Sequence, residues 1–151
     1  MECTGDDLAG VVDMFGGLRA EELATALVEL AFKDGEDREP ADFRSDIDAA
    51  RKAYELVEVD SLLVAGPAAF PTLPEEAADL KHILDAEERE IDRDQAGDAA
   101  AAKLHQDAVA AIDAGKQKEM ERLIDLSYDI ETWAAVDLSE TRDRLDDELT
   151  E

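Results

Sequence analysis

Catalysis starts from a few residue types, and this chain supplies them thinly. It has two histidines and one cysteine. His82 and Asp85 stand three apart, a spacing that on a helix can share one metal ion. The other histidine, His105, is distant in sequence, and Cys3 lies near the first residue. With 41 acidic side chains among 151 residues, a His–Asp pair at that spacing arises by chance, so no metal site is expected. A serine nucleophile needs a base held beside it, and Ser45, Ser61, Ser127 and Ser139 sit in no G-x-S-x-G context. Phosphate loops, dinucleotide fingerprints and H-E-x-x-H are missing from the sequence. Glu87, Glu88 and Glu90 read as a solvated charge run, and no carboxylate pair can be singled out for acid–base work. The expectation is a protein that is not an enzyme and uses no cofactor. A metal- or carboxylate-dependent hydrolase built on His82 is the least favoured alternative.

Two other sets of residues could make a binding surface. Arg44, Ser45, Arg51 and Lys52 fall on the exposed side of a helix that precedes a hairpin, the place from which a winged helix reads DNA. They are the candidate nucleic-acid contacts. Against them, Asp48 and Glu55 share a flank with Arg44 and Arg51, so that Arg44–Asp48 and Arg51–Glu55 form i,i+4 pairs and the flank neutralises itself. Base-reading helices aim Arg, Asn or Gln at base edges, and the outermost face here holds Ser45, Ala49 and Lys52. The hairpin turn, Glu58 to Ser61, carries no cation for a phosphate. Tyr128 and Trp133 are the second set, candidate anchors for a protein interface, although a single Trp in a chain this size more often lies in the core.

The elements that hold these residues are set by the apolar spacing. Thr4 and Asp7 form a capping box for a first helix, with Leu8, Val11, Val12 and Phe15 as its stripe and Gly16-Gly17 as its stop. Leu18 and Leu23 can staple the start of a second helix carrying Leu27, Leu30 and Ala31. Pro40 suits the first turn of a third, in which Phe43, Ile47, Ala50, Tyr54 and Val57 recur at helical spacing. A hairpin over 56–65 follows, with Asp60-Ser61 as a two-residue turn that sets Val57 opposite Val64 and Val59 opposite Leu62. Those four residues are expected to pack onto the helices. Pro71 and Pro74 spell P-x-x-P, read as a rigid connector. A short helix around Leu80, Ile83 and Leu84 comes next. A long one from Asp94 to Ala114 then buries Ala96, Ala100, Leu104, Ala108, Ala111 and Ile112. Met120, Leu123 and Ile124 begin another, and Asp137 with Glu140 caps the last.

Composition bounds the rest. The formal net charge is −26, from 41 acidic and 15 basic residues, yet 45% of the chain is apolar. Acids are spread evenly between apolar positions, unlike a disordered tail. Self-repulsion of that size opposes folding in dilute buffer, and at about 1 M salt the Debye length shrinks to about 3 Å and screens it. No apolar run is long enough for a membrane span, and neither a basic n-region nor an apolar h-region opens the chain. A cytoplasmic protein is expected.

The Asp- and Ala-rich, Lys-poor pattern resembles the proteins of extreme halophiles. The segments "DDLAGVVDMFGGL", "EELATALVELAFKDGE" and "LLVAGPAAFPTLPEEAADLKHILD" resemble an uncharacterised family of acidic haloarchaeal proteins of unknown function, over nearly the whole chain. That resemblance implies a lineage and a solvent and no activity. A net charge of −26 would ordinarily argue against nucleic-acid binding; the resemblance weakens that vote, because acidity then serves solubility.

The fold expected is mostly α with one short β-hairpin: a winged-helix-like unit over 1–72 and a helical unit over 73–151 packed on it. The function expected is that of an accessory or adaptor protein acting on an unknown protein partner or on further copies of itself. A winged-helix DNA-binding transcription regulator is the alternative.

Overall fold

The fold, taken from a computed structural model, is described for residues 4–73, 77, 79–80 and 88–150. Cys3, Pro74, His82, Ile83, Leu84, Asp85 and Glu87 lie outside the described residues, and with them the candidate metal pair and part of the short helix expected near Leu80. The chain forms two compact units, Met1–Ile91 and Asp92–Glu151. The division falls later than 72/73 because the stretch after the hairpin returns to the first unit, where Ala77 and Leu80 are buried in the core.

In the first unit, α1 (Gly5–Phe15) opens as its capping box predicts: the Asp7 N–H donates to Thr4 Oγ1 and the Thr4 N–H to Asp7 Oδ2, each at 3.2 Å. Gly16, at φ 81°, ends it. Leu18 and Leu23 are both fully buried across the start of α2 (Ala20–Lys33), where the Arg19 N–H donates to Glu22 Oε1 at 2.9 Å. A 3-10 turn, Pro40–Phe43, leads into α3 (Arg44–Lys52). Antiparallel strands β1 (Leu56–Val59) and β2 (Leu62–Ala65) follow, with Val57 opposite Val64 and Val59 opposite Leu62 as the sequence predicts. Asp60 and Ser61 have φ of 51° and 68°, the pair of left-handed residues that a two-residue turn needs to match the strands' twist.

Two expectations change. The third helix stops at Lys52, before Tyr54 and Val57. Its end is a Schellman closure: Tyr54 N–H donates to the Arg51 carbonyl at 3.2 Å and Glu55 N–H to the Ala50 carbonyl at 2.9 Å. Tyr54 occupies the left-handed position at φ 63°, which costs a bulky residue energy that glycine would not lose; complete burial of its ring offsets that cost. The second change concerns the hairpin. Leu56 and Leu63, on the face opposite the valines, are the strand residues that enter the core with Leu8, Val12, Phe15 and Leu27. Leu18 fixes this orientation by exchanging two backbone hydrogen bonds with Leu63, at 3.0 and 2.7 Å. Val57, Val59 and Val64 are buried as well. Helix, bridging residue, two helices and hairpin follow in the order of a winged helix.

The second unit contains α4 (Arg93–Ala114), α5 (Gln117–Trp133) and α6 (Ser139–Thr150), each packed on the other two. Asp92 caps α4 through the Asp94 N–H at 2.9 Å, and Gly115 ends it at φ 66°. Ala96, Ala100, Leu104, Ala108 and Ala111 are buried as expected, while Ile112 is half-buried. Small residues let the helices close in: a Cβ on Gly97 would sit 2.6 Å from the Ala134 Cβ. Among the described residues no helix is long and apolar enough to cross a membrane.

Candidate functional site

α3 and its neighbours assemble the predicted nucleic-acid contacts. Arg44, Ser45 and Lys52 are exposed, and Arg51 is half-buried. Within Arg44–Lys52 three cations stand against Asp46 and Asp48, a locally positive strip on a chain of −26. Arg51 is committed internally. Its Nη2 lies 2.7 Å from Glu58 Oε2 on β1, and its Nη1 lies 3.8 Å from Asp48. The i,i+4 pair expected with Glu55 does not form, because the helix has ended and Glu55 has left its flank. The Glu55 carboxyl lies instead against Gly5 at the start of α1. Burial there, with the Asp6 carboxylate nearby, raises its pKa above the ordinary glutamate value.

Between the first turn of α2 and the length of α3 runs a groove of about 290 Å³. Ala20, Ala24, Pro40, Ala41 and Ile47 give it an apolar lining, and Glu21, Arg44, Asp48 and Arg51 charge its rim. Sequence reasoning found Arg44 and Arg51 and missed the groove. The small residues at 20, 24 and 41 were its only signal.

The candidate interface anchors lie in the second unit. Tyr128 is 54% exposed, with the Arg142 guanidinium 4.2 Å from its ring centroid. Trp133 is half-buried, with Arg93 4.6 Å from its ring centroid and donating to its carbonyl at 3.0 Å. Arg142 also donates to Glu131 Oε1 at 2.8 Å and to the buried Ser127 hydroxyl at 2.9 Å. Glu131 in turn accepts from the Leu138 N–H at 2.9 Å, ahead of α6. That backbone bond first, and Arg142 second, hold the Glu131 carboxyl below the usual glutamate range. The cluster is thus a joint between α5 and α6 as well as a surface.

Two further exposed rings were not singled out in the sequence. Phe32 and Phe70 are 72% and 80% exposed, and Leu73 is 52% exposed. Phe70 belongs to a strap that follows the hairpin along α1. Its N–H donates to Asp6 Oδ1 at 2.9 Å, and two residues on the Thr72 hydroxyl donates to Asp7 Oδ1 at 2.8 Å. Gly10 makes room for the strap, since a Cβ there would overlap the Thr72 carbonyl. Among the described residues no three His, Cys, Asp or Glu side chains are placed to hold a metal ion.

The chain belongs to DUF7109, a family of unknown function, whose model matches residues 6–150. No curated protein and no solved structure matches it.

Proposed function

We propose that the protein is a non-enzymatic adaptor that binds another protein in the cytoplasm of a halophilic cell. The observation that carries this reading is the treatment of the phenylalanines. Phe15 and Phe43 are buried, whereas Phe32 and Phe70 stand 72% and 80% in solvent. Leaving a large apolar side chain exposed forgoes about 1.5–3 kcal/mol of burial, which a partner surface can recover on binding. The hairpin supports the same reading, because Arg51 beside it is held by Glu58 and its turn adds Asp60 and Ser61. The test is capture of partners from native lysate at molar salt with the wild type and a Phe32→Ser/Phe70→Ser double variant. Capture should fall at least about tenfold in the variant, the scale of a lost hot spot. Unchanged capture by a variant of intact helicity would remove the support.

The halophilic setting rests on the net charge of −26 and on the scarcity of Lys. Helical circular dichroism should fall sharply below about 0.5 M salt as the Debye length grows. Full helicity in dilute buffer would contradict it.

The second reading, a winged-helix DNA-binding regulator, is favoured by one observation, the two exposed cations Arg44 and Lys52 on the helix that precedes the hairpin. Fluorescence anisotropy with a mixed-sequence duplex decides between the two. Binding that weakens in an Arg44→Gln/Lys52→Gln variant would move the function to DNA.

A further inference from the structure

We infer that the groove between α2 and α3 is a docking site for an acidic peptide segment of a protein partner, one that presents an apolar side chain next to a carboxylate. This deepens the protein-interaction reading and rests on it, but it concerns a different surface from Phe32 and Phe70.

The groove holds about 290 Å³, near the lower end of the range for small-ligand pockets, so one aliphatic side chain fits and a whole helix does not. Its lining is made of short side chains, Ala20, Ala24, Pro40 and Ala41, over the buried Ile47. These side chains are complementary to an aliphatic group and supply no donor or acceptor to orient it. Orientation falls to the rim. Two of the four rim charges are already matched, since Arg51 faces both Asp48 and Glu58. Arg44 is different: it is exposed, it lines the groove, and among the described residues it makes no ion pair. A guanidinium is a planar fork suited to a carboxylate, so the chemistry that completes the site is an acid beside the apolar group. Glu21 on the α2 side of the rim disfavours a second carboxylate there, which places the acid on the α3 side.

The large negative charge of the chain does not prevent this. Beyond one Debye length, about 3 Å at 1 M salt, the remaining carboxylates are screened, while a contact pair is weakened far less. The site therefore remains able to take an acidic segment at a salt concentration where steering by the whole molecule has vanished.

The experiment is a nitrogen–proton correlation titration of the full chain at about 1 M salt with two capped peptides, acetyl-Gly-Leu-Asp-Gly-amide and its asparagine counterpart. The aspartate peptide should move the amide signals of Ala24, Ala41, Arg44 and Ile47, and the asparagine peptide should bind about two- to fivefold more weakly, the ratio set by one exposed ion pair. Arg44→Gln, an exposed substitution that leaves the fold intact by circular dichroism, should abolish that difference. Equal binding of the two peptides, shifts located away from the groove, or no shifts at all would overturn the inference. Any of these results, obtained while capture still depends on Phe32 and Phe70, would remove the groove and leave the adaptor reading standing.

Discussion

Arg51 in the first unit and Arg142 in the second each tie a helix to a neighbouring element, but their surroundings differ. Arg51 reaches from α3 to Glu58 on β1 and remains 39% exposed along its side chain, and Glu58 is 49% exposed. Arg142 reaches from α6 to Glu131 on α5 with both partners largely covered, at 14% and 24%. It also satisfies the buried Ser127 hydroxyl and covers one face of Tyr128. An exposed pair exchanges water for a partner at almost no gain, whereas a covered guanidinium with several acceptors leaves unpaired groups behind when it is removed. In a chain with so many carboxylates, finding an acid near a cation teaches little. The degree of enclosure decides which pairs hold the structure. By the same measure Arg89, which joins Glu22 at 2.7 Å with side chains 19% and 20% exposed and also reaches the Gly17 carbonyl, belongs with Arg142.

The largest expected effect tests whether the first unit depends on a buried corner at all. Tyr54 is fully buried at the left-handed end of α3. Tyr54→Ala should cost about 3–5 kcal/mol in chemical denaturation, the range for deleting a buried aromatic. Tyr54→Gly should cost less than the alanine variant, because glycine takes the left-handed backbone without penalty. A loss under about 1 kcal/mol for either variant would mean that the corner is held by its backbone bonds alone.

The next effect bears on the two arginines directly. Arg142→Ala should destabilise by about 1.5–3 kcal/mol, since it removes the guanidinium that Glu131 and the buried Ser127 hydroxyl share and uncovers a face of Tyr128. Arg51→Ala should cost about 0–1 kcal/mol. Equal losses for the two variants would break the comparison, and a larger loss at Arg51 would reverse it.

What the sequence made legible follows the same division between local and distant interactions. The hairpin register could be read from apolar pairs placed symmetrically about a two-residue turn, because strand periodicity is local. The capping box at Thr4 and Asp7 and the Leu18–Leu23 staple were legible for the same reason. The end of α3 was not. Phe43, Ile47, Ala50 and Tyr54 keep helical spacing although the helix stops at Lys52, since the left-handed turn delivers Tyr54 to the interior as a further helical turn would have done. Which face of the hairpin enters the core was decided by Leu18, far away in sequence, and the pairing of Arg51 with Glu58 depended on that docking. The candidate site was half legible: Arg44 and Arg51 were found on α3, but the groove between them and α2 exists only once the two helices are packed. Phe32 and Phe70 were passed over because exposure of a large side chain is not written in its neighbours.

The smallest effect concerns Glu55, the carboxylate that left the α3 flank. Burial first, and the Asp6 carboxylate second, raise its pKa. The folded state therefore holds the proton more tightly than the unfolded chain. Stability contributed by this group must fall as pH rises from the ordinary glutamate value near 4.5 through the higher folded value. At pH above both values the ionised group is a net cost. Glu55→Gln should then raise stability at neutral pH by on the order of 0.5 kcal/mol, the scale of a like-charge contact, and should change it little at acid pH, where the wild-type group is already neutral. Glu131 makes the opposite case. Its lowered pKa means that its contribution is present above the ordinary glutamate value and is lost as pH falls through the folded one. One consideration opposes the Glu55 prediction: its carboxyl lies beside Gly5 at the start of α1, where the helix dipole favours negative charge. If Glu55→Gln destabilises the protein at neutral pH, the dipole outweighs burial and Asp6, and Glu55 becomes a second cap for α1, on a par with Asp7.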